Sequence, residues 1–184
     1  NGEIISADSM QIYRGMNIGT AKPTTEERRG IPHHLIDLVN PDEEYSVAQF
    51  KEDALACIED IIKRGKIPIV VGGTGLYINA LVYNITFSET IADWEYREKL
   101  KRISEEQGTQ TLYERLKKVD PKSAESIHPN NIKRIIRALE VYKTTGTPIS
   151  EHKEASRSIP PLYEFIVYGL QVERERLYQR IDKR

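Results

Sequence analysis

The sequence predicts an α/β fold interrupted by an all-helical insertion, and three observations carry that prediction. A capped amphipathic helix over 46–64 runs into the apolar segment Ile67-Pro68-Ile69-Val70-Val71, which is followed by Gly72-Gly73-Thr74-Gly75 and a second helical pattern, Leu76 to Val82. Helix, apolar strand, glycine turn and helix in that order belong to parallel-sheet proteins rather than to bundles or sandwiches. From about Asp93 to Lys153 the texture becomes charged, helix-periodic and poor in strand signals, and then Glu164-Phe165-Ile166-Val167-Tyr168-Gly169-Leu170 reads as a strand again. The expected organisation is core over 1–92, helical insertion over 93–157 and core again over 158–184.

Each element has its local reason. Glu3-Ile4-Ile5-Ser6 is a short buried strand that ends in the polar turn Ala7-Asp8-Ser9. Gly15, Gly19, Pro23, Ile31-Pro32 and Asn40-Pro41 punctuate two irregular stretches. Ser46 with Gln49 makes a capping box, an apolar face repeats from Val47 to Ile62, and Gly65 closes the helix. Ile67–Val71, apolar at every position, is expected to be buried on both faces. Three helices follow over 94–106, 109–119 and 131–145, the last stopped by Gly146 and Pro148. Val172 to Arg184 reads as a charged amphipathic helix.

Composition narrows the function classes. The 184 residues are 39% hydrophobic and 30% charged, and 27 Lys and Arg stand against 28 Asp and Glu. A near-neutral chain has no global field for nucleic acid, so any RNA site must be a local patch. The single cysteine, Cys57, cannot form an internal disulfide and reads as a small core residue. No apolar run is long enough to span a bilayer, so the expectation is a soluble, cytoplasmic protein with no membrane partner. The chain begins at Asn1 and enters Ile4-Ile5 almost at once, so a preceding segment is expected.

Three groups of residues could carry chemistry, and each has a plainer reading. Gly72-Gly73-Thr74-Gly75 can bring backbone N–H groups and the Thr74 hydroxyl to an anion at a helix start, or simply make a tight turn. It is neither a Walker loop nor a dinucleotide fingerprint. Asp8, just past a strand's carboxyl end, is placed for general-base work or for holding Mg²⁺, or for a turn or cap. Arg97 and the cluster Lys133, Arg134 and Arg137 could face phosphates, or form a solvated surface in which Glu140 pairs with Arg137. His33-His34 lacks metal-ligand spacing and reads as structural.

Taken in order, the motifs resemble one family. Ile5-Ser6-Ala7-Asp8-Ser9-Met10-Gln11-Ile12-Tyr13, Asn17-Ile18-Gly19-Thr20-Ala21-Lys22-Pro23, Pro32-His33-His34-Leu35-Ile36-Asp37, Val71-Gly72-Gly73-Thr74-Gly75-Leu76-Tyr77 and His128-Pro129-Asn130-Asn131 with Arg134 and Arg137-Ala138-Leu139-Glu140 match the tRNA dimethylallyltransferase (isopentenyltransferase) family over almost the whole chain.

The resemblance implies a P-loop-NTPase-like, nucleotide-binding α/β core. It implies transfer of a five-carbon group from dimethylallyl diphosphate to the exocyclic amine of the adenosine 3′ to the tRNA anticodon, with Mg²⁺ as cofactor and a monomer as the acting form. By the same resemblance Asp8 is the base, and Ser9, Met10 and Gln11 line the adenosine site. Thr74 and Arg97 contact the substrates, Lys133, Arg134, Ile135, Ile136 and Arg137 touch the tRNA, and Arg184 lies near the diphosphate. It also implies a phosphate-binding loop before residue 1, helices beyond Arg184, and a 184-residue chain inactive by itself. The competing expectations are a transferase acting on free adenylate and a non-catalytic RNA-binding relative.

Overall fold

A computed structural model describes residues 1–87 and 92–183, and the chain separates into two compact units, 1–84 with 161–184 and 85–160. The first unit is α/β. Its sheet is parallel throughout, with β1 (Gly2–Ser6) in the centre, β2 (His33–His34) on one side and β3 (Ile67–Val71) on the other. Ile5 lies opposite both His34 and Val70.

Helix α1 (Val47–Lys63) packs on β1 and β3. Its capping box is complete, since Ser46 accepts from the Gln49 amide and the Gln49 side chain accepts from the Ser46 amide. The face it buries is Phe50, Ala54, Ile58 and Ile61, each large apolar member worth about 1.5–3 kcal/mol relative to exposure. These meet Ile5, Ala7, Ile12, Tyr77 and Leu81 in one core. Phe50 and Tyr77 stack at 3.9 Å between centroids, which fixes α1 against α2 (Gly75–Val82).

Two strand expectations need correction. Ile67–Val71 is not buried on both faces. Ile67, Ile69 and Val71 are 65, 45 and 52% exposed, because β3 is an outer strand with only one face against α1. Residues 164–170 form no strand. Tyr163 and Phe165 pack on the core, but Ile166 to Leu170 run exposed with no ladder. A strand exists only where a neighbour takes up its N–H and C=O groups, and apolar patterning cannot supply that neighbour. The last helix, α8 (Arg174–Asp182), buries none of its residues.

The second unit is all helix among its described residues: α3 (Trp94–Gln107), α4 (Thr109–Val119), α5 (Pro121–Ser126), α6 (Ile132–Thr145) and α7 (Ile149–Arg157). Leu100, Leu112, Leu116, Ile127, Ile135 and Leu139 form its core. Gly146 ends α6 in the left-handed conformation that only glycine adopts without strain. Asp120 holds two helices at once. One carboxylate oxygen accepts from the Ser123 amide at the start of α5, and the other from the Ser150 amide at the start of α7, at 2.9 and 3.0 Å.

Candidate functional site

The carboxyl end of β1 and the β3–α2 turn meet in the first unit. β1 and β3 stay in register past their ends, with the Ala7 amide donating to the Val71 carbonyl and the Thr74 amide to the Ala7 carbonyl. That contact leaves no room for a side chain at residue 72. A Cβ on Gly72 would fall 2.3 Å from the Ala7 carbonyl carbon and oxygen. The glycine is there because backbone meets backbone.

Asp8 folds its own turn. Its Oδ1 accepts from the Met10 amide at 2.8 Å and the Gln11 amide at 3.3 Å, an Asx-type arrangement. Its other oxygen has no hydrogen-bond partner among the described residues. Thr74 occupies the N-cap position of α2 yet makes no cap bond with its side chain. Its hydroxyl instead accepts from the Ser9 amide at 2.9 Å and lies 3.2 Å from the Ser9 hydroxyl. Two residues 65 apart in sequence thus fix one side of the Asp8 turn.

Gln11 fixes the other side. Its amide nitrogen donates to the Thr20 and Ala21 carbonyls, and its oxygen accepts from Ser6. Beyond it, the buried Lys22 ammonium sits 2.6 Å from the Tyr13 carbonyl and 2.5 Å from Asp37 Oδ1. The segment 8–22 is therefore tied down through Ser9, Gln11 and Lys22. Met10 is exposed, and Asp8 and Ser9 are half-buried. Burial pushes the Tyr77 phenol up, with the neighbouring Tyr13 and Asp8 adding to the effect.

In the helical unit the expected RNA-contacting residues divide. Lys133 and Arg134 are exposed at the start of α6, beside an open hollow of about 540 Å³ lined by His128, Asn130, Asn131, Ile132 and Lys133. Ile135 is wholly buried in the helical core and Ile136 packs against it, so the Ile135 side chain belongs to the core. Arg137 and Arg97 converge on one carboxylate. Glu140, fully buried, accepts from Arg97 Nε at 2.7 Å, Arg97 Nη2 at 2.9 Å, Arg137 Nη1 at 2.8 Å and the Asp93 amide at 2.9 Å. Burial alone pushes the Glu140 carboxyl up, but the hydrogen bonds from Arg97, Arg137 and Asp93 outweigh it and hold it below its ordinary value. The pairing of Arg137 with Glu140 is the plainer of its two sequence readings. Glu140 itself escaped the sequence reading as an organising group, although its spacing from Arg137 was visible.

Asp8, Ser9, Met10, Gln11 and Thr74 are thus gathered in one unit, and Arg97 with Arg137 in the other. Arg184 lies outside the described residues. Among the described residues no three or more His, Cys, Asp or Glu stand together as a metal cluster; Mg²⁺ commonly needs only one or two carboxylates beside the phosphates of its substrate. No described helix is long and apolar enough to cross a membrane.

Known proteins resemble this chain along its whole length. A tRNA dimethylallyltransferase of Acetivibrio thermocellus is 61% identical over 184 residues, covering 100% of this chain and 59% of the relative. One of Caldanaerobacter subterraneus is 55% identical over 186 residues, with 100 and 59% covered. The crystal structure of a tRNA isopentenylpyrophosphate transferase from Staphylococcus epidermidis superimposes with a TM-score of 0.56 at 46% identity, covering 100% of this chain and 59% of that one. A eukaryotic dimethylallyltransferase acting on tRNA gives 0.77 at 37% identity, with 100 and 45% covered. The fold is theirs, an α/β core of the P-loop-like class. The chain spans 59% of the length of these curated relatives. Residues 11–184 match the model of the IPP transferase family, and the chain belongs to that family.

Proposed function

We propose that this site moves a dimethylallyl group from dimethylallyl diphosphate to the exocyclic amine of the adenosine 3′ to the anticodon, tRNA position 37. The observation that carries the reading is the Asp8 carboxylate, immobilised through one oxygen by its own turn and left with the other unengaged beside Ser9 and Thr74.

An adenine amine is a weak nucleophile because its lone pair is delocalised into the ring. Its nitrogen attacks the first carbon of the prenyl group, the carbon–oxygen bond to diphosphate breaks, and that electron pair leaves with the diphosphate. The amine proton passes to the unengaged oxygen of Asp8. A base whose orientation is set before substrate arrives loses little freedom on reaction. Thr74 and the 72–75 turn, at the start of α2, serve the anionic donor side. Ser9 and Met10 flank the base, and the Gln11 amide, saturated by Ser6, Thr20 and Ala21, supports the turn from behind. Mg²⁺, bound with the donor, would neutralise the departing diphosphate. The helical unit offers Lys133 and Arg134 to the tRNA backbone, and the acting form in this reading is a cytoplasmic monomer.

The test uses the full-length protein with Mg²⁺, dimethylallyl diphosphate and an anticodon stem-loop, read by mass spectrometry of the RNA. A gain of one five-carbon unit is expected. Asp8→Asn keeps the acceptor that folds the turn and removes the base, so transfer should fall at least about a hundredfold with RNA affinity retained. Transfer undiminished in Asp8→Asn overturns the assignment. Modification of free AMP but not of the stem-loop favours the adenylate reading.

A further inference from the structure

The helical unit displays an aromatic ring that neither its core nor the chemistry above employs. Trp94, the first residue of α3, is 58% exposed, and it is the exposed large apolar side chain of that helix. An indole left in water forgoes a large burial gain. This one is nevertheless held in place. The Arg97 guanidinium lies 4.8 Å from the ring centroid, a cation–π distance. That guanidinium is in turn gripped through two nitrogens by the buried Glu140. A chain of three groups, carboxylate to guanidinium to indole, thus supports the ring from one side and leaves more than half of the residue's surface outward.

The surroundings choose among partners. Arg137 reaches the same carboxylate, and Lys133 and Arg134 stand exposed on α6. Of the acids nearby, Glu140 is engaged by the arginines and Asp93 by Lys143 at 2.7 Å, while Glu95 and Glu98 of α3 are exposed. An isolated, braced aromatic face among cations suits a single flat, polyanion-borne partner better than a broad apolar protein surface. We propose that Trp94 is a stacking platform for one unpaired nucleobase of the RNA, with the cations of α6 receiving the adjoining phosphates. This deepens the tRNA reading and rests on it. In this scheme Arg97 and Glu140 act as positioning residues for the ring.

The chain contains one tryptophan, so its fluorescence reports this ring alone. Titration of the 184-residue chain with an anticodon stem-loop should quench Trp94 to saturation, while a blunt RNA duplex of equal length should not. In the full-length protein, Trp94→Leu should raise the KM for the stem-loop about tenfold, the loss of one base–aromatic stack, and leave the KM for dimethylallyl diphosphate unchanged. Trp94→Phe should recover part of the loss. Because Trp94 is exposed, neither variant should lower the unfolding midpoint. If the full-length protein transfers the prenyl group but the stem-loop binds without quenching, or Trp94→Leu leaves its KM unchanged, the platform is overturned and the tRNA reading stands. If the protein neither binds nor modifies the stem-loop, both are overturned.

Discussion

Arg97 and Glu140, 43 residues apart in sequence, are joined by two N–H···O bonds of 2.7 and 2.9 Å that close α3 against α6. The same carboxylate takes Arg137 and the Asp93 amide, so its removal takes a shared buried acceptor from two arginines and a backbone donor. Glu140→Ala should cost about 3–5 kcal/mol, the usual consequence of breaking a buried pair from one side. Urea unfolding followed by Trp94 fluorescence measures it, since that tryptophan lies in the helical unit. The pH dependence has a definite sign. The folded carboxyl titrates below the ordinary 4.5, so its contribution is complete above that value and is lost as pH falls through the lower one.

Asp120 should show a graded response. Asp120→Asn keeps one acceptor and should cost about 1 kcal/mol, and Asp120→Ala loses both caps and should cost about 2 kcal/mol. Burial pushes this carboxyl up, yet bonds from Ser150 and Ser123 hold it below its ordinary value, so this contribution too fades with acid. Denaturant midpoints of the two variants at neutral and acid pH check both claims. Equal losses in the two variants would count against the double cap.

The α/β unit has its own acid-sensitive group. Glu3, buried in the centre strand, accepts from both terminal nitrogens of Arg64 at 2.5 and 2.7 Å, from Lys66 at 2.6 Å and from His34 at 2.8 Å. Those partners hold its carboxyl far below the ordinary carboxylate range. Its stabilising effect is therefore present at neutral pH and persists to strongly acid conditions. Glu3→Gln should lower the thermal midpoint near neutrality, and the gap to wild type should close only in strong acid. A gap already closed at mildly acid pH would contradict this.

Neighbouring glycines should behave oppositely. Gly72→Ala forces a methyl into the Ala7 carbonyl and should cost about 1–3 kcal/mol, with amide exchange at Ser9 and Thr74 accelerated. A Cβ on Gly73 meets nothing within 4 Å, and Gly73→Ala should stay within about 0.5 kcal/mol of wild type. Thermal unfolding with hydrogen exchange distinguishes the two positions.

What was legible in the sequence was mostly local. The capping box of α1, the glycine stop of α6 and the helices expected over 94–106, 109–119 and 131–145 follow from residues three or four apart, and all are present, whereas the short α5 and α7 were not foreseen. What failed was pairing at a distance. His33-His34 gives no alternation, yet becomes β2 because β1 offers it a ladder. Residues 164–170 have an apolar, β-branched and aromatic run and no ladder. At the candidate site, Asp8 was visible as a carboxylate at a strand end. The grip of Thr74 on Ser9 joins residues 65 apart, and no spacing rule could announce it. Ile135 shows another limit, since the resemblance placed it in a tRNA-touching segment and its side chain lies in the helical core.

The abutment of Gly72 on Ala7, seconded by the Thr74–Ser9 bond, has a mechanical consequence. The glycine turn and the Asp8 turn cannot drift apart without breaking backbone contacts. In the proposed reaction the groups serving the donor and the base would then be a single rigid piece, their mutual alignment built when the chain folds rather than on each turnover. Evolution can retune either group only by substitutions that preserve the seam between them.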